Sequence, residues 1–123
     1  MDFNECACSG KSLARMLRPA VMGLLAGGSA HGYQLAQQLV EMKMFTCQEP
    51  DHAGLYRTLK QMEDEGLLTS AWDLAESGPA RRVFTLTPAG KTCLARWKKT
   101  LAGYRDAVDE LLGLLSRHRS ERA

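Results

Sequence analysis

Residues 54–90 constrain the fold more tightly than any other stretch of the chain. GLYRTLKQMEDEGLL has helical periodicity, with Leu55, Leu59 and Met62 as the buried stripe and Gly66 as the stop. TSAWDLAESGPA and RRVFTLTPAG follow as strand patterns about a longer loop containing Gly78-Pro79. In the second of these, Arg82, Phe84 and Leu86 alternate with Arg81, Val83 and Thr85, as a half-buried strand should. Thr87-Pro88 then opens another helix, the hydroxyl capping it and the proline taking the first helical position. A helix that feeds a hairpin with paired arginines is the arrangement of a winged helix-turn-helix. Such a fold sets a helix in a DNA groove and a basic hairpin against the neighbouring backbone.

The upstream residues supply the missing helices. Leu13, Leu17, Ala20, Val21, Leu24 and Leu25 fall at spacings of 3 and 4 and predict a helix from about Lys11 to Gly27. Pro19 lies inside it, so the helix either starts near Arg18 or kinks. A shorter helix is expected from about Gly32 to Met42, with Leu35, Ala36, Leu39 and Val40 inward. Residues 44–50 read as a loop, after which Asp51 can cap the third helix. That helix turns His52, Ala53, Tyr56, Arg57 and Lys60 to solvent.

The last helix carries a second periodicity. Leu94, Trp97, Leu101, Tyr104, Val108, Leu111 and Leu115 form an a/d seam, and its distal half has nothing left in the chain to cover it. The expected class is therefore mainly α with a small β-hairpin. Residues 1–87 would form the winged helix-turn-helix with an N-terminal extension, and residues 88–123 a dimerisation helix.

Bulk charge is silent about partners: net charge is +2, from 16 basic and 14 acidic residues, so any basic surface must come from local placement. A chain of 123 residues has room for about one domain. Lys11, Arg15 and Arg18 before the apolar run Ala20–Ala26 imitate a secretory leader. Gly23 breaks that run and acidic Asp2 and Glu5 precede it, so a cytoplasmic, non-membrane chain is expected.

His31-Gly32-Tyr33-Gln34-Leu35, Leu55-Tyr56-Arg57-Thr58-Leu59-Lys60, Glu65-Gly66-Leu67 and Arg82-Val83-Phe84-Thr85-Leu86-Thr87-Pro88-Ala89-Gly90 together resemble the PadR-like transcriptional regulators, in the branch with a single short C-terminal helix. Phe84 stands where that pattern has a tyrosine. The resemblance implies a homodimeric repressor on a pseudo-palindromic promoter site, released by a small-molecule, metal or redox signal. It also implies that a tryptophan near Trp97, with Leu101, lines a pocket for a flat aromatic or apolar effector.

The third helix would enter the major groove N-terminal end first, presenting His52, Tyr56, Arg57 and Lys60. Arg57 has the forked donors for a bidentate guanine contact, and Lys60 suits a phosphate. Tyr33, Gln34 and Lys11 suit phosphates too, and Arg81 and Arg82 suit backbone or minor-groove contact. Tyr56 reads equally as packing. Glu63-Asp64-Glu65 reads as a solvated charge run away from DNA.

The cysteines stand outside that pattern. Cys6 and Cys8 with Cys47 could complete a three-thiolate site for a soft metal, or sense redox state, or be inert thiols; Cys93 adjoins the helical seam. A thiol-based metal-binding or redox-sensing protein is thus the alternative function. Catalysis has no support. Gly10-Lys11-Ser12 lacks the upstream glycine of a phosphate loop, since position 5 is Glu, and no Ser/His/Asp set is credibly placed.

Overall fold

The computed structural model describes residues 16–45, 51–74 and 78–120, with side chains as far as 117. Helix α1 spans Leu17–Ala26 and is followed by a two-residue strand β1, Ala30–His31. Then come α2 (Gly32–Val40), a 3-10 turn (Lys43–Phe45) and α3 (His52–Asp64). Strands β2 (Leu68–Asp73) and β3 (Arg81–Leu86) form the hairpin, and α4 (Pro88–Ser120) ends the chain.

Pro19 needs no kink. Met16 is the N-cap of α1, which puts the proline in the first turn, where its missing N–H would have had no partner. The expected residues 11–15 of this helix lie outside the described residues. Helix α2 stops at Val40, and Val40 is exposed instead of facing inward. Helix α3 begins as its sequence requires: Asp51 Oδ1 accepts the Gly54 N–H at 2.6 Å. It ends in a Schellman turn, with Gly66 at φ 82° and the Leu67 N–H donating to the Met62 carbonyl at 2.9 Å.

Two of the sequence motifs are locked together at the next corner. The Thr87 N–H donates to the Leu67 carbonyl at 3.1 Å, and the Thr87 hydroxyl donates to the Gly66 carbonyl at 2.7 Å. The same hydroxyl accepts the Gly90 N–H at 3.0 Å and so caps α4. Gly90 has to be bare, because a Cβ there would run into the Leu67 carbonyl oxygen.

The sheet has three antiparallel strands in the order β1-β3-β2, one more than the sequence pattern announces. Ala30 pairs with Phe84, while β2 and β3 pair from Leu68↔Leu86 to Asp73↔Arg81. Ala30–His31 is too short to show a period of 2 and forms only because β3 offers an edge. The core joins Val21, Met22 and Leu25 of α1 to Leu35 and Leu39 of α2, Leu55, Leu59 and Met62 of α3, and Leu68, Phe84 and Leu86 of the hairpin. Phe45, in what reads as a loop, is fully buried among them.

Helix α4 has two regimes. Cys93, Leu94 and Trp97 pack against this core, and Leu101 is half-buried. Beyond them, Tyr104, Val108, Leu111, Leu112, Leu114 and Leu115 are all exposed. Among the described residues no helix is long and apolar enough to cross a membrane.

Candidate nucleic-acid interface

One face of the molecule collects most of the residues marked by the sequence. The start of α2, the outer side of α3 and the hairpin stem enclose a cleft of about 550 Å³ lined by His31, Gly32, Tyr33, Tyr56, Trp72, Ala80, Arg81 and Arg82. Helix α2 enters it through a reciprocal cap, in which the His31 backbone N–H donates to Gln34 Oε1 at 2.9 Å. The Gln34 oxygen is therefore committed to the helix start, and its amide NH2 is the group left to donate outward. Tyr33, one residue earlier, is exposed. The imidazole of His31 reaches across to β2, with Nε2 3.4 Å from Asp73 Oδ2.

Tyr56 is both packed and accessible. A Cβ on Gly32 would lie 2.5 Å from the Tyr56 hydroxyl oxygen and 2.6 Å from Cζ, so the bare glycine lets the ring lie across the first turn of α2. The residue is nonetheless 44% exposed, with its outer surface in the cleft. Tyr56 thus braces α3 against α2 and offers a hydroxyl to whatever enters.

Along the rest of α3, His52, Arg57 and Lys60 are exposed. Among the described residues, Arg57, Lys60 and Arg81 form no ion pair. Two nearby acids have other partners: Asp51 caps α3 and Asp73 faces His31. An exposed set of cations without partners leaves a local positive surface on a chain of small net charge.

Arg82 differs from Arg81. Cross-strand pairing puts Ser70, Trp72, Arg82 and Phe84 on one face of the hairpin, turned toward the C-terminal turn of α3. The Arg82 Nε–H donates to Ser70 Oγ at 2.7 Å, Nη2 lies 3.6 Å from Glu63 Oε1, and the guanidinium sits 5.5 Å from the centre of the Trp72 ring. Ser70 in turn donates to Glu63 Oε2 at 2.5 Å. Glu65 is also engaged, accepting both Arg18 Nη1 at 3.0 Å and Nη2 at 2.7 Å. That bidentate bond holds the Glu65 carboxyl below the ordinary glutamate range and raises the Arg18 guanidinium. The acidic run is therefore not simply solvated, because two of its members tie α3 to its surroundings. Glu63, expected as a solvated charge, is instead engaged, and Ser70 and Trp72 carry no mark in the sequence motifs. The period of β2 alone places Leu68, Ser70 and Trp72 on one face, which is the signal that could have found the last two.

The expected effector residues separate. Trp97 lines a cavity of about 470 Å³ with Leu67, Cys93, Arg96, Thr100 and Tyr104. Leu101 instead borders an apolar groove of about 300 Å³ formed with Pro19, Ala20, Leu24, Met42 and Met44. Cys93 is a half-buried free thiol. Cys6, Cys8, Cys47 and Lys11 lie outside the described residues.

The sequence profile of the transcriptional regulator PadR-like family matches residues 21–96, which include the second half of α1, α2 and α3, the hairpin and the start of α4. The chain belongs to the PadR-like family. The family is one of transcriptional regulators. The negative transcriptional regulator PadR of Bacillus subtilis is 30% identical over 83 residues, covering 68% of this chain and 45% of that protein. The chain thus spans about half the length of that relative. The crystal structure of Bacillus subtilis PadR in complex with operator DNA matches with a TM-score of 0.59 at 28% identity, over 67% of this chain and 46% of that one. A PadR-like transcriptional regulator from Bacillus cereus matches with a TM-score of 0.73 at 22% identity, over 83% and 96%, a likeness of fold.

Proposed function

We propose that this PadR-like protein is a homodimeric repressor that binds a two-fold symmetric promoter duplex in the cytoplasm and is released by a chemical signal. The observation that carries the DNA reading is the exposed cationic face: Arg81 lines a cleft bordered by Tyr33 and Tyr56, Arg57 and Lys60 lie exposed along α3, and none of the three forms an ion pair among the described residues. Helix α3 in the major groove brings Arg57 to base edges and Lys60 to phosphate. Phosphate also suits the Tyr33 and Tyr56 hydroxyls and the Gln34 amide. The operator complex of the Bacillus subtilis relative and its name as a negative regulator support DNA binding and repression.

Dimerisation is supported by α4. Its 33 residues run about 50 Å, and the apolar stripe from Tyr104 to Leu115 lies on the part that leaves the core. Tyr104, Val108, Leu111 and Leu115 keep heptad spacing there, which suits a second copy of the same helix. For the signal, the cavity beside Trp97 suits a small aromatic or apolar effector. A soft metal or a redox change at Cys6, Cys8 and Cys47 is the other source, and elemental analysis of anaerobically purified protein tests it.

The deciding experiment is DNA selection with the purified protein followed by a salt titration of binding to the selected duplex. A symmetric site with half-sites about one helical turn apart is expected. Arg57→Ala should weaken binding by the equivalent of about 1–3 kcal/mol per protomer and relax preference at one base position. Selection that enriches no sequence, or an Arg57→Ala variant that binds as the parent does, overturns the reading.

A further inference from the structure

Two adjacent arginines on β3 have opposite surroundings, and the difference assigns them different work. Arg81 points outward, exposed, and has no ion pair among the described residues. Arg82 is exposed at the same cleft, but its guanidinium is engaged by Ser70, Glu63 and Trp72, and Glu63 belongs to the last turn of α3. Two polar contacts of that cluster join the hairpin to the helix, Glu63 holding Ser70 of β2 directly and Arg82 of β3 by charge, while the Arg82–Ser70 bond ties the two strands together. The carboxylate is 26% exposed and the Arg82 side chain 45%, so water does not fully screen the pair.

Resting on the DNA-binding reading above, we propose that Glu63 is a positioning residue. It holds Arg82 as a strut that sets the hairpin at a defined angle to α3, and it withholds that arginine from DNA, so that Arg81 alone supplies the charge of the β3 stem. The physical logic is one of geometry traded for charge. A guanidinium that already donates to a serine and faces a carboxylate cannot release a counterion from a phosphate without breaking those contacts. A hairpin anchored at its stem, in turn, keeps Arg81 at a fixed distance from Arg57 and Lys60, which read the adjoining groove. Loss of the Glu63 charge should free Arg82 to join the phosphate contacts, with tighter but less selective binding.

The test compares Arg81→Ala, Arg82→Ala and Glu63→Gln in salt titrations against a selected duplex and a random-sequence duplex of equal length. Asp64→Asn, at the neighbouring exposed acid, serves as the charge control. One phosphate contact contributes about 0.9 to the slope of log K against log salt. Arg81→Ala should lower the slope by about 0.9 per protomer, and Arg82→Ala should leave it unchanged while weakening binding to the selected duplex. Glu63→Gln should steepen the slope by about 0.9 per protomer and lower the ratio of selected to random binding, whereas Asp64→Asn should do neither. Equal slope losses for the two arginine variants, or equal effects of Glu63→Gln and Asp64→Asn, overturn the proposal. A parent protein that binds neither duplex overturns the DNA reading instead. The strut is then judged by amide hydrogen exchange of β2 and β3. Glu63→Ala and Arg82→Ala should each speed exchange, and the double variant should add nothing further. Exchange unchanged in either single variant refutes the strut on its own.

Discussion

Replacing Gly90 by alanine probes the corner where the end of α3 meets the start of α4. The added Cβ would collide with the Leu67 carbonyl oxygen and stand 2.6 Å from Leu86 Cδ1 and 3.1 Å from Leu86 Cγ. The leucine tip can rotate away, but the carbonyl is backbone and cannot. Carbon contacts are comfortable only at about 3.5 Å, so α4 has to retreat by roughly 1 Å from residues 66–67. That shift stretches the Thr87 N–H bond to Leu67 and the Thr87 hydroxyl bond to Gly66. Overpacking costs about 1–3 kcal/mol and each weakened hydrogen bond up to about 1 kcal/mol. Alanine's better helix propensity returns at most about 1 kcal/mol. The steric side wins, with a net loss of about 2–3 kcal/mol, which for a domain of this size lowers Tm by roughly 6–15 °C. Circular dichroism melts at one fixed protomer concentration measure it, since dimerisation makes Tm concentration-dependent. Gly113→Ala is the control, because a Cβ there meets nothing within 4 Å and should leave Tm equal or higher. A Gly90→Ala protein melting within about 2 °C of the parent would refute the reasoning, because no relaxation of Leu86 alone relieves the backbone contact.

Other outcomes follow from the same geometry. Gly32→Ala should displace the Tyr56 ring, lowering Tm and weakening DNA binding; a lower Tm with DNA binding unchanged would show that Tyr56 acts only by packing. The Arg18–Glu65 pair should matter in a pH-dependent way. Its glutamate is held below the ordinary range in the folded state, so its stabilisation is present above that range and lost as pH falls through the depressed folded value. The difference in urea midpoint between parent and Glu65→Gln should therefore shrink in acid, and a constant difference would contradict the assignment. Leu111→Glu with Leu115→Glu places charges on the exposed seam and should yield monomers by sedimentation with weaker DNA binding, while an unchanged dimer would move the interface elsewhere.

Features that depend on near neighbours are legible in the residues alone. The Asp51 cap, the Gly66 stop, the Thr87-Pro88 start and the outward face of α3 are set by residues within one or two turns, so periodicity and capping chemistry reveal them. Four short motifs in order also pointed to the family. The tertiary structure decided what depends on approach between distant segments. Strand β1 exists only because β3 lends it an edge, and Phe45 enters the core only because the turn after α2 folds over it. Trp97 and Leu101, four residues apart on one helix, open into separate hollows because α1 and the corner at Leu67 pack on different sides of α4. The paired arginines show the limit most clearly. Strand parity separates Arg81 from Arg82, but only the position of α3 beneath the hairpin brings Glu63 to one of them, and a charge's partner, not its place in the sequence, decides whether it is free to meet DNA.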